Sequence, residues 1–128
     1  MQKNLAICSL ASGSSGNCYV VRTDSTAILV DAGISYKQIR LGLEKLGIDS
    51  SDINGVLVTH EHYDHVGGLD DLRPFCASRD VPVYAEKLVI QHLMERIPYC
   101  FGDRKYPGTP SIVLNGIEPD VPFHVGDM

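Results

Sequence analysis

Short apolar runs separated by small or polar residues fill the first sixty positions of the chain, and they predict β-strands. Strands of this kind are about four to eight residues long and are bounded by glycine, serine or aspartate. The predicted strands cover residues 5–10, 18–22, 26–30 and 55–59. The second and third would pair through a turn at residues 23–25. The fourth is so continuously apolar that we expect both of its faces to be buried.

Helical spacing of apolar residues occurs in two later segments. The first helix is predicted from an apolar stripe with intervals of four and three residues, formed by Ile39, Leu43 and Leu46. Ser35 and Gln38 form a capping-box pattern at its start, and Gly47 ends it. The second helix is predicted over residues 86–97. Strands and helices that alternate in this way indicate the α/β class.

The remaining segments give weaker patterns. Residues 67–78 are weakly helical, and Pro74 should break this helix or start a second turn. A short strand is predicted over residues 81–84, although it contains Pro82, so we expect it at a sheet edge or in the first residues of a parallel strand. Three prolines and two glycines predict a loop over residues 98–110. Two late strands are predicted over residues 112–114 and 121–125.

Composition adds limits on the compartment and the partners. The chain has 128 residues, of which 44% are hydrophobic and 21% charged, and this suits one soluble domain or part of one. Its net charge of -5 argues against a broad nucleic-acid surface, although a phosphate ester could still be held at a metal site. We expect no membrane span and a cytoplasmic location. The widely spaced cysteines should be free thiols: Cys8, Cys18, Cys76 and Cys100.

Three of the five histidines fall within six residues, directly after the predicted buried strand. The cluster comprises His60, His62, Asp64 and His65. Imidazole and carboxylate are preferred ligands of zinc, and ligand type alone also allows manganese or iron. His60 and His62 are two residues apart and project to the same side of an extended backbone, so they could bind one ion together. Asp64 and His65 would then serve a second ion.

The histidines of this chain also allow other interpretations. The zinc-protease pattern H-E-x-x-H fails, because the fifth position counted from His60 is Asp64 rather than histidine. A polar loop without any ion is the bland alternative, which this density of ligands disfavours. His92 lies within the second helical pattern and should be a surface or core residue. His124 lies in a strand-like segment and is the weaker ligand candidate.

The segment Thr59-His60-Glu61-His62-Tyr63-Asp64-His65-Val66-Gly67-Gly68 resembles the T-H-x-H-x-D-H-x-x-G signature of the metallo-β-lactamase superfamily. The run Leu29-Val30-Asp31-Ala32-Gly33 resembles the family's early strand that ends in aspartate. The opening residues 9–18, with their serine–glycine loop, resemble a narrower branch of phosphodiesterase type, the YycJ/WalJ-like proteins. The resemblance covers essentially the whole chain.

The resemblance implies a fold and a set of roles. The family fold is a four-layer αβ/βα sandwich, of which residues 1–128 would form the N-terminal half, ending before the third metal-binding histidine. His60 and His62 would bind the first divalent ion, and Asp64 and His65 the second. Asp31 would orient a ligand from behind, or would simply be a strand-end turn residue.

The implied activity is metal-dependent hydrolysis through a metal-bound hydroxide, with Asp64 helping to orient the nucleophile. Phosphodiesters, including nucleic acid, are the expected substrates. Ser14 and Asn17 could cradle a phosphate, although their loop could also be a plain hairpin connection. Two alternatives stay open: hydrolysis of another ester such as a thioester or lactone, and a non-catalytic half-domain that binds a partner chain. An uncovered inner sheet face predicts self-association or pairing with a separate C-terminal half.

Overall fold

A computed structural model describes residues 4–60, 62–76, 80–101 and 111–128 of the chain. The ends of two predicted segments, residues 77–78 of the weak helix and 102–110 of the loop, lie outside the described residues. Within the described part, no helix combines the length and apolar character needed to cross a bilayer. The cysteines were predicted to be thiols. The structure describes three of them, and none of the three forms a disulfide: Cys8, Cys18 and Cys100.

Six strands form one sheet in the order β1-β2-β3-β4-β5-β6. The strands are β1 Ala6–Ala11, β2 Cys18–Arg22, β3 Ala27–Val30, β4 Ile53–Leu57, β5 Val81–Glu86 and β6 Ile112–Ile117. The first three strands pair antiparallel, and the pairs from β3 to β6 are parallel. The α-helices are α1 Tyr36–Lys45, α2 Tyr63–Val66 and α3 Lys87–Arg96. The mixed α/β class and most of the predicted element positions are therefore confirmed.

One face of the sheet carries the hydrophobic core. Register aligns Val20, Leu29, Val56 and Val83 across four neighbouring strands, and each is at most 1% exposed. Helices α1 and α3 pack on this face through four residues of the core cluster: Ile39, Leu43, Val89 and Leu93. Short 3₁₀ turns at residues 69–71 and 73–76 replace the predicted weak helix and add Leu69, Leu72 and Phe75 to the core.

The opposite face of the sheet has no helix among the described residues. Apolar side chains in register on this face are only partly buried or exposed: Ile7, Tyr19, Val21, Ile28, Val30, Leu57 and Tyr84. Ile7 is 70% exposed. The sheet is therefore covered on one side and largely open on the other.

Helix α1 begins as its sequence predicts. The Ser35 hydroxyl accepts a hydrogen bond from the Gln38 backbone N–H, and the Gln38 side chain accepts one from the Ser35 backbone N–H. The two bonds satisfy backbone donors that the first helical turn leaves unpaired. Gly47 follows the helix with φ of +71°, a conformation that glycine adopts without steric cost.

Strand β5 is interior, so the prediction of an edge strand is wrong and the alternative of a parallel strand is confirmed. β5 pairs with both β4 and β6. Pro82 is tolerated because the ladder with β4 begins only at Val83. On the other side, Val81 donates its N–H to the Ser111 carbonyl. The missing N–H of Pro82 therefore breaks no ladder bond with either neighbour.

The predicted strand over residues 121–125 is wrong. The segment after β6 forms turns: Val121 donates to the Glu118 carbonyl, and Met128 donates to the Val125 carbonyl. Of its three alternating apolar residues only Val125 is buried, whereas Val121 is 52% exposed and Phe123 is 40% exposed. Phe123 stacks on Tyr84 with ring centroids 5.5 Å apart on the open sheet face, and Val125 is 7% exposed. Side-chain alternation predicted a strand here, but packing on an existing sheet satisfies the same pattern.

Candidate metal centre

The histidine loop begins where β4 ends. Because β3 and β4 are parallel neighbours, Asp31 and Thr59 follow their strands at the same edge of the sheet. This carboxyl edge is where open α/β sheets bind ligands. His62 is the N-cap residue of α2, but its side chain makes no capping hydrogen bond. Its imidazole therefore stays available for another partner, and Asp64 follows in the first turn of the helix.

The predicted ligands converge on one point. One ligand atom each from His60, His62 and Asp64 lies within 4.8 Å of the other two. The His60 ring also lies 3.7 Å from the His65 ring, measured between centroids, and 4.8 Å from the His62 ring. His65 Nε2 is 3.4 Å from Asp64 Oδ2. Three of the four predicted ligands therefore face a common space, and His65 lies beside His60 and Asp64 of this group.

Asp31 supports this cluster from below. It is 3% exposed, and its carboxylate accepts hydrogen bonds from the Thr59 backbone N–H at 2.8 Å and the Thr59 hydroxyl at 2.7 Å. Its Oδ2 also lies 2.7 Å from His65 Nδ1. A carboxylate at this nitrogen holds the proton on Nδ1 and leaves Nε2 as the electron-pair donor. The backbone of Asp31 has φ of +64°, which aspartate tolerates better than most residues.

Thr59 is a site residue whose role sequence reasoning missed. Its hydroxyl lies between the Asp31 carboxylate and His60 Nδ1, at 2.7 and 3.1 Å. Since the hydroxyl donates to the carboxylate, it can accept from His60 Nδ1, which leaves His60 Nε2 free for a ligand. Its place directly before the first histidine of the cluster was the available signal. Asp31 therefore orients both His60 and His65, one of them through Thr59.

The serine–glycine loop lies against the same cluster. Ser14 is exposed, whereas the Asn17 side chain is partly buried and hydrogen-bonds to Gly13 and Asp64. Asn17 also donates its backbone N–H to the Asp64 carbonyl at 2.7 Å and accepts at its own carbonyl from the Gly33 N–H at 2.9 Å. The loop before β2, the loop after β3 and the histidine loop are thus joined through their backbones.

Two glycines allow these loops to approach so closely, and sequence reasoning assigned neither of them a role. A Cβ atom on Gly33 would overlap the Asp64 carbonyl oxygen, and one on Gly68 would overlap the Ile34 carbonyl oxygen. Gly68 also donates its N–H to the Ala32 carbonyl at 2.7 Å. The loops pack backbone to backbone at a distance that only glycine permits.

The two other histidines lie away from the cluster. His124 is exposed, and its Nδ1 lies 3.0 Å from the Met128 carbonyl. Its segment is attached to Thr26, which precedes β3, whereas Asp31 follows that strand. His124 is therefore at the opposite end of β3 from the cluster. His92 is half-buried on α3, in accord with its prediction as a surface or core residue.

The Cys18 thiol interacts electrostatically with Asp31, which lies behind the cluster. Burial, together with the negative charge of Asp31, raises the pKa of the Cys18 thiol from 9.0 to about 12. A thiol with such a pKa remains protonated and unreactive at neutral pH. Cys18 therefore acts as a small apolar residue of the core beside the site.

The donor set fits a divalent ion. Two imidazoles and a carboxylate that lie within one coordination sphere of each other are typical ligands of zinc and its neighbours. His65 lies beside the same Asp64, so this carboxylate belongs to the first group and also forms a second imidazole–carboxylate pair. The carboxylate of Asp31 behind His65 supplies the outer hydrogen bond that metal-ligating histidines usually make.

Comparison with known proteins agrees with this geometry. The sequence model described as the metallo-beta-lactamase superfamily matches residues 11–127. A solved structure of the metallo-beta-lactamase fold protein YhfI from Bacillus subtilis superimposes with a TM-score of 0.61 at 19% identity, over 91% of this chain and 43% of that chain. At this identity the match shows the fold, and its coverage corresponds to the N-terminal half of the four-layer sandwich.

Two curated relatives have more similar sequences. An octanoyltransferase of Porphyromonas gingivalis is 48% identical over 101 residues, which are 79% of this chain and 20% of that protein. The exodeoxyribonuclease YycJ of Bacillus anthracis is 38% identical over 120 residues, which are 87% of this chain and 44% of that protein. The chain thus spans less than half the length of these relatives.

Proposed function

Since the chain belongs to the metallo-β-lactamase superfamily, we propose that it provides the metal-binding half of a hydrolase that cleaves phosphodiesters. The observation that carries the proposal is the convergence of His60, His62 and Asp64 at the carboxyl edge of the sheet. A buried carboxylate at His65 Nδ1 extends this group to a second pair of ligands. Superfamily membership supports hydrolytic chemistry in general, and both the activity of this chain and its substrate are our proposal.

The residues take the following roles. His60 and His62 hold one divalent ion, and Asp64 and His65 hold a second. Zinc is the first candidate for both ions, and the same imidazole and carboxylate donors also accept manganese or iron. Such ions lower the pKa of a bound water and stabilise negative charge on the phosphoryl oxygens. Asp31 and Thr59 keep the two imidazoles in the tautomers that leave Nε2 available.

Two observations favour a phosphodiester over other esters. The relative named exodeoxyribonuclease YycJ matches 87% of this chain at 38% identity. Ser14 is exposed in a loop that is hydrogen-bonded to the site, where its hydroxyl could contact a phosphate. The octanoyltransferase gives weaker support to acyl chemistry, because the match covers only one fifth of that protein.

The test compares two ester classes on the same protein. The chain is loaded with Zn²⁺ or Mn²⁺ and assayed on bis-p-nitrophenyl phosphate, on single-stranded DNA and on an acyl thioester. His60→Ala is the site variant. His124→Ala is the matched control, because His124 is an exposed histidine at the other end of β3. We expect metal-dependent hydrolysis of the two phosphodiesters, its loss in His60→Ala and no change in His124→Ala.

Each other result selects a different function. Turnover of the thioester alone would replace the phosphodiesterase assignment with an acyl-ester hydrolase. Metal uptake without turnover of any ester would support a non-catalytic half-domain that binds a partner chain. Phosphodiester turnover that survives His60→Ala would overturn the assignment of the site.

A further inference from the structure

Asn17 is in an unusual position for a residue of a substrate-binding loop. It directly precedes β2, at the end of the serine–glycine loop, and its side chain points at the histidine loop rather than outward. Its backbone is fixed on both sides, by the Asp64 carbonyl at 2.7 Å and by the Gly33 N–H at 2.9 Å. The side chain therefore starts from a rigid anchor next to Asp64.

Both N–H groups of the Asn17 side-chain amide donate hydrogen bonds within the protein. Its Nδ2 donates to the Gly13 carbonyl at 2.8 Å and to Asp64, at 3.1 Å from Oδ2 and 3.3 Å from the carbonyl oxygen. Its Oδ1 accepts from the Gly13 N–H at 3.1 Å. The carboxylate of Asp64 can only accept, and the Gly13 N–H can only donate, so this network fixes the orientation of the amide. Neither N–H remains for a substrate phosphate.

Asp64 has few other restraints on its side chain. It lies in the first turn of α2, a helix of four residues, and is partly exposed. Besides Asn17, its carboxylate contacts His65 Nε2 at 3.4 Å, which is a long distance for a hydrogen bond. The Asn17 amide is thus the one short hydrogen bond to this carboxylate among the described residues.

We propose that Asn17 is a positioning residue that holds the Asp64 carboxylate in the orientation needed to bind a metal ion. One carboxylate oxygen of Asp64, Oδ2, accepts a hydrogen bond from the Asn17 amide. This contact selects the rotamer in which Asp64 faces the His60 and His62 rings. The assignment rests on the proposed metal site, and it gives Asn17 a role that differs from phosphate binding. Loss of such outer hydrogen bonds typically costs about 10–100-fold in metal affinity.

The test is a double-mutant cycle on metal affinity rather than on activity. Co²⁺ affinity is measured by competition with a chromophoric chelator for the unsubstituted chain, Asn17→Ala, Asp64→Asn and the double variant. The visible spectrum of bound Co²⁺ reports the coordination geometry independently. Ser15→Ala is the loop control, since Ser15 is exposed and no described contact joins it to Asp64. Asn17→Ser replaces Asn17→Ala if circular dichroism shows that the alanine variant does not fold.

We expect Asn17→Ala to weaken Co²⁺ binding by about 10–100-fold and to change the Co²⁺ spectrum. In the Asp64→Asn background the same substitution should cause little further loss, because its effect passes through that carboxylate. Additive losses, or affinity equal to that of Ser15→Ala, would overturn the role of Asn17 while leaving the metal site intact. Failure of the unsubstituted chain to bind Co²⁺ would overturn the metal site itself, and the role of Asn17 with it.

Discussion

Asp31 and His65 form a buried carboxylate–imidazole pair in which Oδ2 and Nδ1 are 2.7 Å apart. The side chain of Asp31 is 4% exposed and that of His65 is 18% exposed. Asp31 reaches this position from the end of β3 through a left-handed backbone conformation, while His65 comes from α2. The Ala32 N–H donates to the His65 carbonyl at 2.8 Å, so backbone and side chain bonds fix the same ring.

Asp31→Asn should weaken metal binding by about 10–100-fold while leaving the fold intact. Asparagine has the same shape and tolerates the left-handed conformation, but a neutral amide no longer stabilises the proton on His65 Nδ1. Chelator competition measures the affinity. Asp120→Asn is the control, because Asp120 has a similar φ of +62° but is exposed. Equal affinities for the two variants would contradict the role of Asp31.

Zinc should raise the melting temperature of the chain, and a chelator should reverse the rise. A ligand that binds only the folded state at about 100 times its Kd stabilises that state by about 2.7 kcal/mol. His62→Ala should reduce the shift, because it removes a ligand of one of the two ions. It should not change the apo melting temperature, since His62 is exposed and makes no capping bond. Differential scanning fluorimetry with His124→Ala as control gives the comparison. A full zinc shift in His62→Ala would exclude His62 as a ligand.

Gly33→Ala should destabilise the fold by about 1–3 kcal/mol, because its new methyl group overlaps the Asp64 carbonyl oxygen. Urea unfolding followed by circular dichroism measures the loss. Gly116→Ala is the matched control: its nearest non-neighbouring atom would be Ile90 Cδ1 at 3.8 Å, an ordinary contact. If both variants unfold at the same urea concentration, the close packing of the three loops is not as described.

Cys18 should resist alkylation by iodoacetamide at pH 8 in the folded chain and react in urea. With a pKa of about 12, only about 10⁻⁴ of this thiol is ionised at pH 8, and burial blocks access to the rest. Cys8 is half-buried and serves as the internal reference. Site-resolved mass spectrometry gives the extent of labelling at each position. Native labelling of Cys18 as fast as that of Cys8 would contradict the buried position.

The raised pKa of Cys18 also makes the stability of the fold depend on pH in the alkaline range. The folded state raises the pKa of Cys18 above its ordinary value of 9.0, so folding favours the protonated thiol. Its contribution to stability is therefore complete below pH 9 and is lost as the pH rises towards 12. The free energy of unfolding should fall less steeply over this range in Cys18→Ala than in the unsubstituted chain. Urea titrations at pH 8, 9 and 10 test this difference.

Local sequence predicted those parts of the molecule that depend on near neighbours. The capping box of Ser35 and Gln38 involves residues three apart, so the pattern shows it directly. The ligand cluster was likewise visible, because His60, His62 and Asp64 share one short loop. Contacts between distant segments were not visible. Nothing in the local pattern of Asn17 or Gly33 indicates that both will meet Asp64, since the pairing of β2 with β3 and of β3 with β4 brings their loops together.

In the segment after β6, the sequence predicted a strand that does not form. Residues 121–125 have the alternation of a strand, and Pro122 did not prevent that prediction. A strand also needs a neighbouring strand for its backbone groups, and its own sequence does not contain that information. The aromatic ring of Phe123 is used instead to cover Tyr84 on the open sheet face. Packing partners, rather than periodicity, decided the structure of this segment.

The open sheet face should cause self-association of the 128-residue chain. Ile7 and its register partner Val21 lie on this face with other partly exposed apolar residues, and Ile7 is 70% exposed. Apolar patches of this kind favour burial against a second surface. Ile7→Lys should shift the equilibrium towards monomer in sedimentation velocity over a concentration series. Leu88→Lys should not, because Leu88 is 61% exposed but lies on α3, which packs on the other face. A stable monomer at every concentration would show that the face needs no partner.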